Sequence, residues 1–235
     1  MAQPWKIIES VATEEGIIEL RQRGERDFLI TIGTQVLMNS LANRSEVVLG
    51  RLGCGHLQGH ASPRVLVGGL GMGFTLKAVL DTLPVAAKVI VAELNPVVLE
   101  WCRGPLAVLT ESAADDPRVT VVIGDVARLI RNSAVNGGEA RFDAIVLDLY
   151  RGPHSRTHHH DDPFYGIRAI ENARAALKPC GVLAVWGEQY DEGFDKRLRS
   201  AGFTVTTERP GRGGLRHVVF LARLRPTVKT GKFAS

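Results

Sequence analysis

The spacing of hydrophobic positions changes near residue 64 and divides the chain into two parts. Before that point, short runs rich in β-branched residues alternate with turns, a pattern typical of strands. Strands are expected at 7–11, 16–20, 28–32 and 35–38. The pair Gly33-Thr34 then forms the turn of a hairpin between the last two strands. A helix is expected over residues 44–53, with Ser45 as the candidate for its N-terminal cap.

From residue 64 onward, apolar runs of strand length alternate with segments of helical spacing. The run Ala144–Leu147 is apolar throughout, which is typical of a parallel strand covered on both faces. Strands are expected at 64–69, 88–93, 118–123, 143–148 and 181–187, and helices at about 73–83, 96–109, 126–132, 164–177 and 191–201. Two last strands, at 203–207 and 217–221, have no helix between them. The pattern predicts an α/β protein with the Rossmann-like fold of S-adenosylmethionine-dependent methyltransferases and a small N-terminal β-rich unit.

This pattern suggests three segments along the chain. We expect an N-terminal β-hairpin unit with its linking helix at 1–55, a Rossmann-like domain at 56–225 and a basic C-terminal tail at 226–235. The length of 235 residues, with 45% hydrophobic residues, is sufficient for one sizeable α/β domain with a small appendage.

Composition limits the classes of partner that we expect for the protein. The net charge of +4 is modest and lies partly in the tail, which favours a solvated tail over a nucleic-acid surface. The three cysteines have neither a disulfide pattern nor metal-ligand spacing. There is no apolar leader and no run of the ~18 apolar residues that a membrane span needs. We therefore expect a cytoplasmic protein without nucleic-acid or membrane partners.

A glycine loop follows the first predicted strand of the larger part. Its sequence is Gly69-Leu70-Gly71-Met72-Gly73, and a predicted helix begins directly after it. Glycine suits such a turn because a Cβ atom would obstruct both the chain and a nucleotide lying on it. The spacing G-x-G-x-G differs from that of dinucleotide sites. It favours a single nucleoside such as S-adenosylmethionine, and we expect Gly69, Gly71, Met72 and Gly73 to bind it.

Each of the next three parallel strands is followed by a carboxylate, at Glu93, Asp125 and Asp148. The carboxyl ends of such strands form the ligand crevice. Glu93 lies at the distance from the glycine loop expected of an acid that binds both ribose hydroxyls, although an acid at a helix start is the alternative. Asp125 is a candidate for the adenine amino group or for a helix cap. Asp148 is the candidate catalytic carboxylate, with a buried structural role as the alternative.

The polar loop after Asp148 is a candidate lid over this crevice. Tyr150, Arg151 and His154 are the residues expected to contact substrate there. The segment 154–162 also contains four histidines and two aspartates. Consecutive histidines such as His158–His160 alternate in direction and do not converge on one ion, so we expect a solvated or substrate-contacting loop and no metal.

Taken in order, these blocks resemble the spermidine synthase (polyamine aminopropyltransferase) family over most of residues 16–221. The resemblance rests on RDFLITIGTQVLMNS followed by SE, VLVGGLGMGFTLKAVL, VIVAELNPVVLEWCR, DDPRVTVVIGD, FDAIVLD and ALKPCGVLAVW. It implies an N-terminal β-hairpin unit, a Rossmann-like domain and a homodimer. It also implies decarboxylated S-adenosylmethionine as the donor and a small amine as the acceptor, which in the familiar members of the family is a diamine.

The resemblance assigns a role to each acid. Glu93 matches the ribose-binding acid, Asp125 the adenine-side acid, and Asp148 the carboxylate that helps to deprotonate the attacking amine. Two positions depart from the family pattern: Met72 stands where an aspartate usually holds the aminopropyl ammonium, and Arg151 replaces the second acid of a D-x-x-D motif. These departures keep two alternatives open, namely an enzyme using intact S-adenosylmethionine, such as a methyltransferase, and a non-catalytic nucleoside-binding protein.

Overall fold

The N-terminal part forms a four-stranded antiparallel sheet. The computed structural model describes residues 3–13, 16–157, 159–211 and 217–225. The strands pair in the order β1-β2-β3-β4; they span Lys6–Thr13, Gly16–Arg23, Asp27–Ile32 and Gln35–Asn39. Gly33, with φ of +54°, lies in the turn of the β3–β4 hairpin. The predicted N-terminal β-rich unit is therefore confirmed.

The second sheet has seven strands in the order β10-β11-β9-β8-β5-β6-β7. The strands span Arg64–Gly68 (β5), Lys88–Glu93 (β6), Val119–Ile123 (β7), Phe142–Leu147 (β8), Leu177–Gly187 (β9), Phe203–Glu208 (β10) and Val218–Leu224 (β11). Strands β5 to β9 run parallel, and β11 is antiparallel to both β9 and β10. This arrangement confirms the predicted Rossmann-like methyltransferase fold.

In the described part of the chain, seven α-helices connect or cover the strands. They span Arg44–Cys54 (α1), Phe74–Thr82 (α2), Pro96–Arg103 (α3), Ala107–Thr110 (α4), Val126–Asn136 (α5), Ile167–Ala176 (α6) and Glu192–Ser200 (α7). The prediction of a single helix over 96–109 was wrong. Helix α3 ends at Arg103, because Gly104 has φ and ψ of −110° and −114°, which are not helical. Pro105 follows directly, and a residue before proline is disfavoured in the helical conformation.

The prediction of Ser45 as an N-terminal cap was also wrong. The helix α1 begins at Arg44, with Asn43 in the cap position. Ser45 lies inside the first turn and is buried, where its hydroxyl donates to Glu46 Oε2 at 2.7 Å and lies 2.9 Å from His217 Nδ1. These two side chains are the partners of the Ser45 hydroxyl, which as a cap would have bonded a backbone N–H of the helix.

The linking helix α1 packs on the second sheet as well as following the first. It contacts α2, β8, β9 and β11. Gly50 permits the close approach to α2, since a Cβ at this position would lie 2.7 Å from the carbonyl oxygen of Thr75. Strand β8 is buried along its whole length, as expected of a strand covered on both faces. Helix α1 therefore fixes the position of Thr75 relative to the sheet.

Two further expectations concern the C-terminal tail and membrane spans. The basic tail at 226–235 lies outside the described residues. Among the residues that the structure describes, no helix is long and apolar enough to cross a membrane.

Candidate active site

One large cavity opens at the carboxyl ends of the parallel strands. Its volume is about 950 Å³. Its walls come from three places: the N-terminal sheet, the loops that follow β5, β6, β7 and β8, and Glu46 of α1 together with Trp186 of β9. The position agrees with the general rule that ligands of open α/β sheets bind outside the carboxyl ends of the strands.

The glycine loop lies on the floor of this cavity. Gly69 has φ of +87° and donates its N–H to the carbonyl oxygen of Ala92 at 2.9 Å. A Cβ at Gly69 would overlap the carbonyl oxygen of Asp148, and one at Gly71, with φ of +52°, would overlap the sulfur of Met38. Both Gly69 and Gly71 line the cavity. The absence of side chains at these two positions is therefore required by close packing.

Met72 and Gly73 lie differently from what the sequence led us to expect. The Met72 side chain is fully buried in the apolar core, and Gly73 packs near Thr110. Neither is among the described residues that line the cavity. The structure therefore does not place the Met72 side chain at the cavity wall, because an apolar side chain gains more from burial in the core than from facing a polar ligand.

Glu93 joins the glycine loop to the turn after β6. Its Oε2 accepts a hydrogen bond from the N–H of Leu70 at 2.9 Å, and its Oε1 accepts one from the N–H of Asn95 at 2.9 Å. The residue is 8% exposed and lines the cavity. Each carboxylate oxygen can accept a second hydrogen bond through its other lone pair, so a vicinal diol can still bind to this group.

Asp125 caps helix α5 at the edge of the same cavity. Its Oδ1 accepts the N–H of Ala127 at 2.8 Å, and its Oδ2 lies 3.9 Å from the guanidinium of Arg131. The capping role weighed from the sequence is thus present in the structure. Because Asp125 also lines the cavity, a role towards a ligand is compatible with capping.

Asp148 lies deep in the cavity wall, directly after β8. Its Oδ2 accepts a hydrogen bond from the Thr75 hydroxyl at 2.5 Å. Burial and, secondly, the negative charge of Glu46 raise the pKa of Asp148 from 3.8 to about 7, while the hydrogen bond from Thr75 opposes this rise. A carboxylate with a raised pKa is a stronger base than an exposed one, which suits it to accepting a proton from a substrate.

Glu46 is a site residue that the sequence interpretation missed. It lies in the first turn of α1 and lines the cavity. The Thr75 hydroxyl that bonds Asp148 is also 3.3 Å from the carbonyl oxygen of Glu46. An acid in the first turn of a helix is already favoured by the helix dipole, so the sequence held no separate signal for a role in a site.

The loop after β8 contributes to the wall of the cavity, and its contact with a substrate stays a prediction. Tyr150, Arg151 and His154 all line the cavity. The hydroxyl of Tyr165 donates to the carbonyl oxygen of Arg151 at 2.6 Å and holds the two ends of the loop together. Burial of the Tyr165 hydroxyl raises its pKa, so it remains a hydrogen-bond donor.

The histidine-rich part of this loop faces solvent. His159 and His160 are exposed, and His160 Nδ1 lies 3.0 Å from an Asp161 carboxylate oxygen. His158 lies outside the described residues. Within the described part of the chain, no group of three or more histidine, cysteine or acidic side chains is arranged to hold a metal ion.

The N-terminal sheet supplies an apolar wall that the sequence alone did not place at the site. Nine of its residues line the cavity, and only Gln35 among them has a polar side chain. The set comprises Gly16, Ile17, Ile18, Ile30, Ile32, Gly33, Gln35, Leu37 and Met38. Sequence patterns predict strands but not which of their faces a distant glycine loop will meet.

The fold and the cavity define a member of the Rossmann-like class that includes S-adenosylmethionine-dependent transferases. A family model described as the spermine/spermidine synthase domain matches residues 53–192, more than half of the chain. The chain belongs to this family. The predicted family resemblance is therefore confirmed.

The curated relatives include two kinds of transferase. A polyamine aminopropyltransferase of Mycobacterium tuberculosis is 34% identical over 152 residues, which cover 60% of this chain and 27% of the relative. Putrescine N-methyltransferase 4 of Nicotiana tabacum is 32% identical over 125 residues, covering 53% of this chain and 30% of the relative. The chain thus spans less than a third of the length of either relative.

Solved structures show the same fold. The spermidine synthase of Thermotoga maritima superimposes with a TM-score of 0.69 at 20% identity, over 93% of this chain and 72% of the other. Human methyltransferase-like protein 13, solved in complex with SAH, superimposes with a TM-score of 0.55 at 24% identity, over 82% of this chain and 85% of the other. At these identities the likeness concerns the fold alone.

Proposed function

We propose that this chain binds the nucleoside of S-adenosylmethionine or of its decarboxylated form and transfers an aminopropyl group to a small amine. The observation that carries the proposal is the position and raised pKa of Asp148. Its carboxyl group has a pKa raised to about 7 and faces the cavity that contains the glycine loop and Glu93. Residues that match the family's donor site and a group able to accept a proton thus share one cavity.

Donor binding would use the floor and the far wall of this cavity. The Glu93 carboxylate would accept the two ribose hydroxyls, since its oxygens retain acceptor capacity after binding the N–H groups of Leu70 and Asn95. Gly69 and Gly71 would let the sulfonium side of the donor lie close to the backbone. Asp125 would accept from the adenine amino group beside its capping bond.

The transfer step requires a neutral amine. An alkylammonium with a pKa of ~10 has no free lone pair at neutral pH. Asp148 would accept one proton from it, and the nitrogen lone pair would form a bond to the carbon beside the sulfonium. The carbon–sulfur bond breaks with its electron pair moving to sulfur, which leaves a neutral thioether. The Thr75 hydroxyl, donating to Oδ2, orients the carboxyl group so that Oδ1 faces the amine.

Methyl transfer from intact S-adenosylmethionine is the second candidate. Two observations support it: putrescine N-methyltransferases are among the relatives, and Arg151 lies at the cavity wall. A guanidinium there would pair with the carboxylate that only the intact donor carries. No acid stands at Met72 to hold the ammonium of an aminopropyl group.

Thermal unfolding with three ligands tests both candidates. A ligand present at 100 times its Kd adds about 2.7 kcal/mol to the free energy of unfolding. We expect methylthioadenosine and decarboxylated S-adenosylmethionine to raise the melting temperature, and mass spectrometry to find an aminopropylated amine. If the intact form alone stabilises the protein, methyl transfer replaces aminopropyl transfer. If none of the three does, the nucleoside site itself is disproved.

A further inference from the structure

The acids of the cavity are unevenly available to a substrate. Five acidic residues line it: Glu46, Glu93, Asp125, Asp148 and Asp162. Both oxygens of Glu93 accept backbone N–H groups, and Asp125 caps α5. These two acids lie after β6 and β7, on the side proposed for the nucleoside.

Asp162 is engaged within its own loop. Its Oδ1 accepts the N–H of Phe164 at 3.0 Å and that of Tyr165 at 2.7 Å. The pKa of the partly buried Arg197 guanidinium is lowered by burial and raised first by Asp191 and then by Asp162. Asp162 is therefore held by backbone N–H groups of its own loop and lies near a cation.

One anionic centre remains for an acceptor. Asp148 and Glu46 both line the cavity, and the charge of Glu46 acts on the Asp148 carboxyl group. The Thr75 hydroxyl links the Asp148 carboxylate to the backbone carbonyl oxygen of Glu46. Because the two acids act on one another, they form a single place for a positive charge rather than two separate ones.

Among the described residues that line the rest of the acceptor side, we find no further acid to pair with a second positive charge. The wall from the N-terminal sheet is apolar apart from Gln35. The loop after β8 adds Arg151 and Arg156 to the cavity wall, and within the described residues neither forms an ion pair. An ammonium buried on the apolar wall would lose its hydration without a partner, and one near the arginines would be repelled.

We propose that the acceptor is a monoamine with an apolar body. Its amine would lie at Asp148 and Glu46, and its hydrocarbon part would lie along the side chains of β2, β3 and β4. Each methylene removed from water favours binding about fourfold. The inference rests on the proposed function, since it concerns the acceptor of the same transfer reaction.

A matched pair of amines tests the inference. Initial rates would be measured with hexylamine and with 1,6-diaminohexane, using the form of S-adenosylmethionine that stabilises the protein. These amines have the same chain length and differ only in the second ammonium. We expect kcat/KM to be at least about tenfold higher for hexylamine, and to rise about fourfold per methylene from butylamine to hexylamine. A preference for the diamine overturns the inference.

The variant Gln35→Glu places a carboxylate on the apolar wall. It should raise kcat/KM for 1,6-diaminohexane relative to hexylamine by about tenfold, because the second ammonium then has a partner. The matched control is Gln58→Glu, which makes the same change at an exposed position outside the cavity. An unchanged ratio in Gln35→Glu would show that the acceptor does not lie along this sheet.

Titration calorimetry with the donor separates failure of the proposed function from failure of the monoamine inference. If no donor binds, the proposed function fails. If a donor binds and the protein prefers the diamine, or accepts neither amine, the donor site stands and the monoamine inference fails.

Discussion

The ionised form of Asp148 is disfavoured in the folded protein, because its carboxyl group is buried in the cavity wall and the charge of Glu46 acts on it. Its folded pKa of about 7 is above the unfolded value of 3.8. The protonated form is therefore preferred on folding, and this contribution to stability is complete below pH ~4 and is lost as the pH rises through ~7. Above that pH, Asp148 carries a negative charge that burial and the charge of Glu46 disfavour.

The variant Asp148→Asn should consequently be more stable than the wild type at pH 8. A shift from 3.8 to about 7 corresponds to at most roughly 4 kcal/mol, and access of solvent from the cavity reduces it to ~2 kcal/mol. Urea unfolding at pH 4 and pH 8 measures the difference, which should vanish at the lower pH. Turnover should fall at least about a hundredfold while donor affinity stays nearly unchanged. A less stable variant at pH 8 would contradict the assigned pKa.

Glu46 acts on the reaction through Asp148. Removing its charge in Glu46→Gln lowers the pKa of Asp148, so the acidic limb of the kcat/KM profile should move to lower pH. The profile is measured from pH 5 to 9 with saturating donor. Glu139→Gln, which removes an exposed acid at the opposite end of β8, is the control. A limb that stays in place in both variants would mean that Asp148 titrates independently of Glu46.

At the scale of elements, the contact between α1 and α2 connects packing with chemistry. Thr75 lies in the first turn of α2 and bonds Asp148, and its carbonyl oxygen packs against Gly50 of α1. A methyl group at Gly50 would lie 2.7 Å from that oxygen and 2.8 Å from the Ala78 Cβ. The two helices must therefore separate when this position becomes larger.

We expect Gly50→Ala to destabilise the protein by about 1–3 kcal/mol, as overpacking does elsewhere. Because Thr75 moves with α2, the acidic limb of the pH profile should also shift. Gly55→Ala is the matched control: it follows the end of the same helix, has a helical φ of −57°, and meets nothing within 4 Å. Equal stability of the two variants, measured by chemical denaturation, would show that α1 can move away from α2 without cost.

The sequence predicted the elements better than their contacts. The strand positions, the glycine loop and the acids after three strands follow from periodicity and chain position, which are local properties. The break of the helix at Gly104 also has a local cause, the following Pro105, which the periodicity did not register. The burial of Met72 and the place of Glu46 depend on residues far apart in the chain. Gly71 illustrates the difference: its glycine was predictable, but its close neighbour Met38 comes from another sheet.

At the scale of the molecule, the N-terminal sheet has an apolar edge. Strand β1 lies at one edge of this sheet, and Ile7 and Ile8 on it are 56% and 44% exposed. Ile17 on the neighbouring strand is 53% exposed. Exposed apolar edge strands favour pairing with another chain. The homodimer implied by the family resemblance stays a prediction, and this edge is where we expect it to form.

Sedimentation velocity tests this prediction. The wild type should sediment as a dimer, and Ile7→Lys with Ile8→Lys should give a folded monomer because charges on an edge strand oppose pairing. Val135→Lys, a change of the same kind at an 85% exposed position on α5, should leave the dimer intact. A wild type that is monomeric at micromolar concentration would contradict the prediction.

Two of the cavity walls come from separate stretches of the gene. The glycine loop, Glu93 and Asp125 lie between residues 69 and 125, whereas the apolar wall lies between residues 16 and 38. Mutations in the codons for residues 16–38 can therefore alter the apolar wall while Glu93 and Asp125 keep their backbone hydrogen bonds. On the proposed function, descendants of such a gene would diverge in the acceptor before they diverge in the nucleoside. Recombination that exchanges the codons for residues 16–38 would then transfer the proposed acceptor preference between paralogues in a single event.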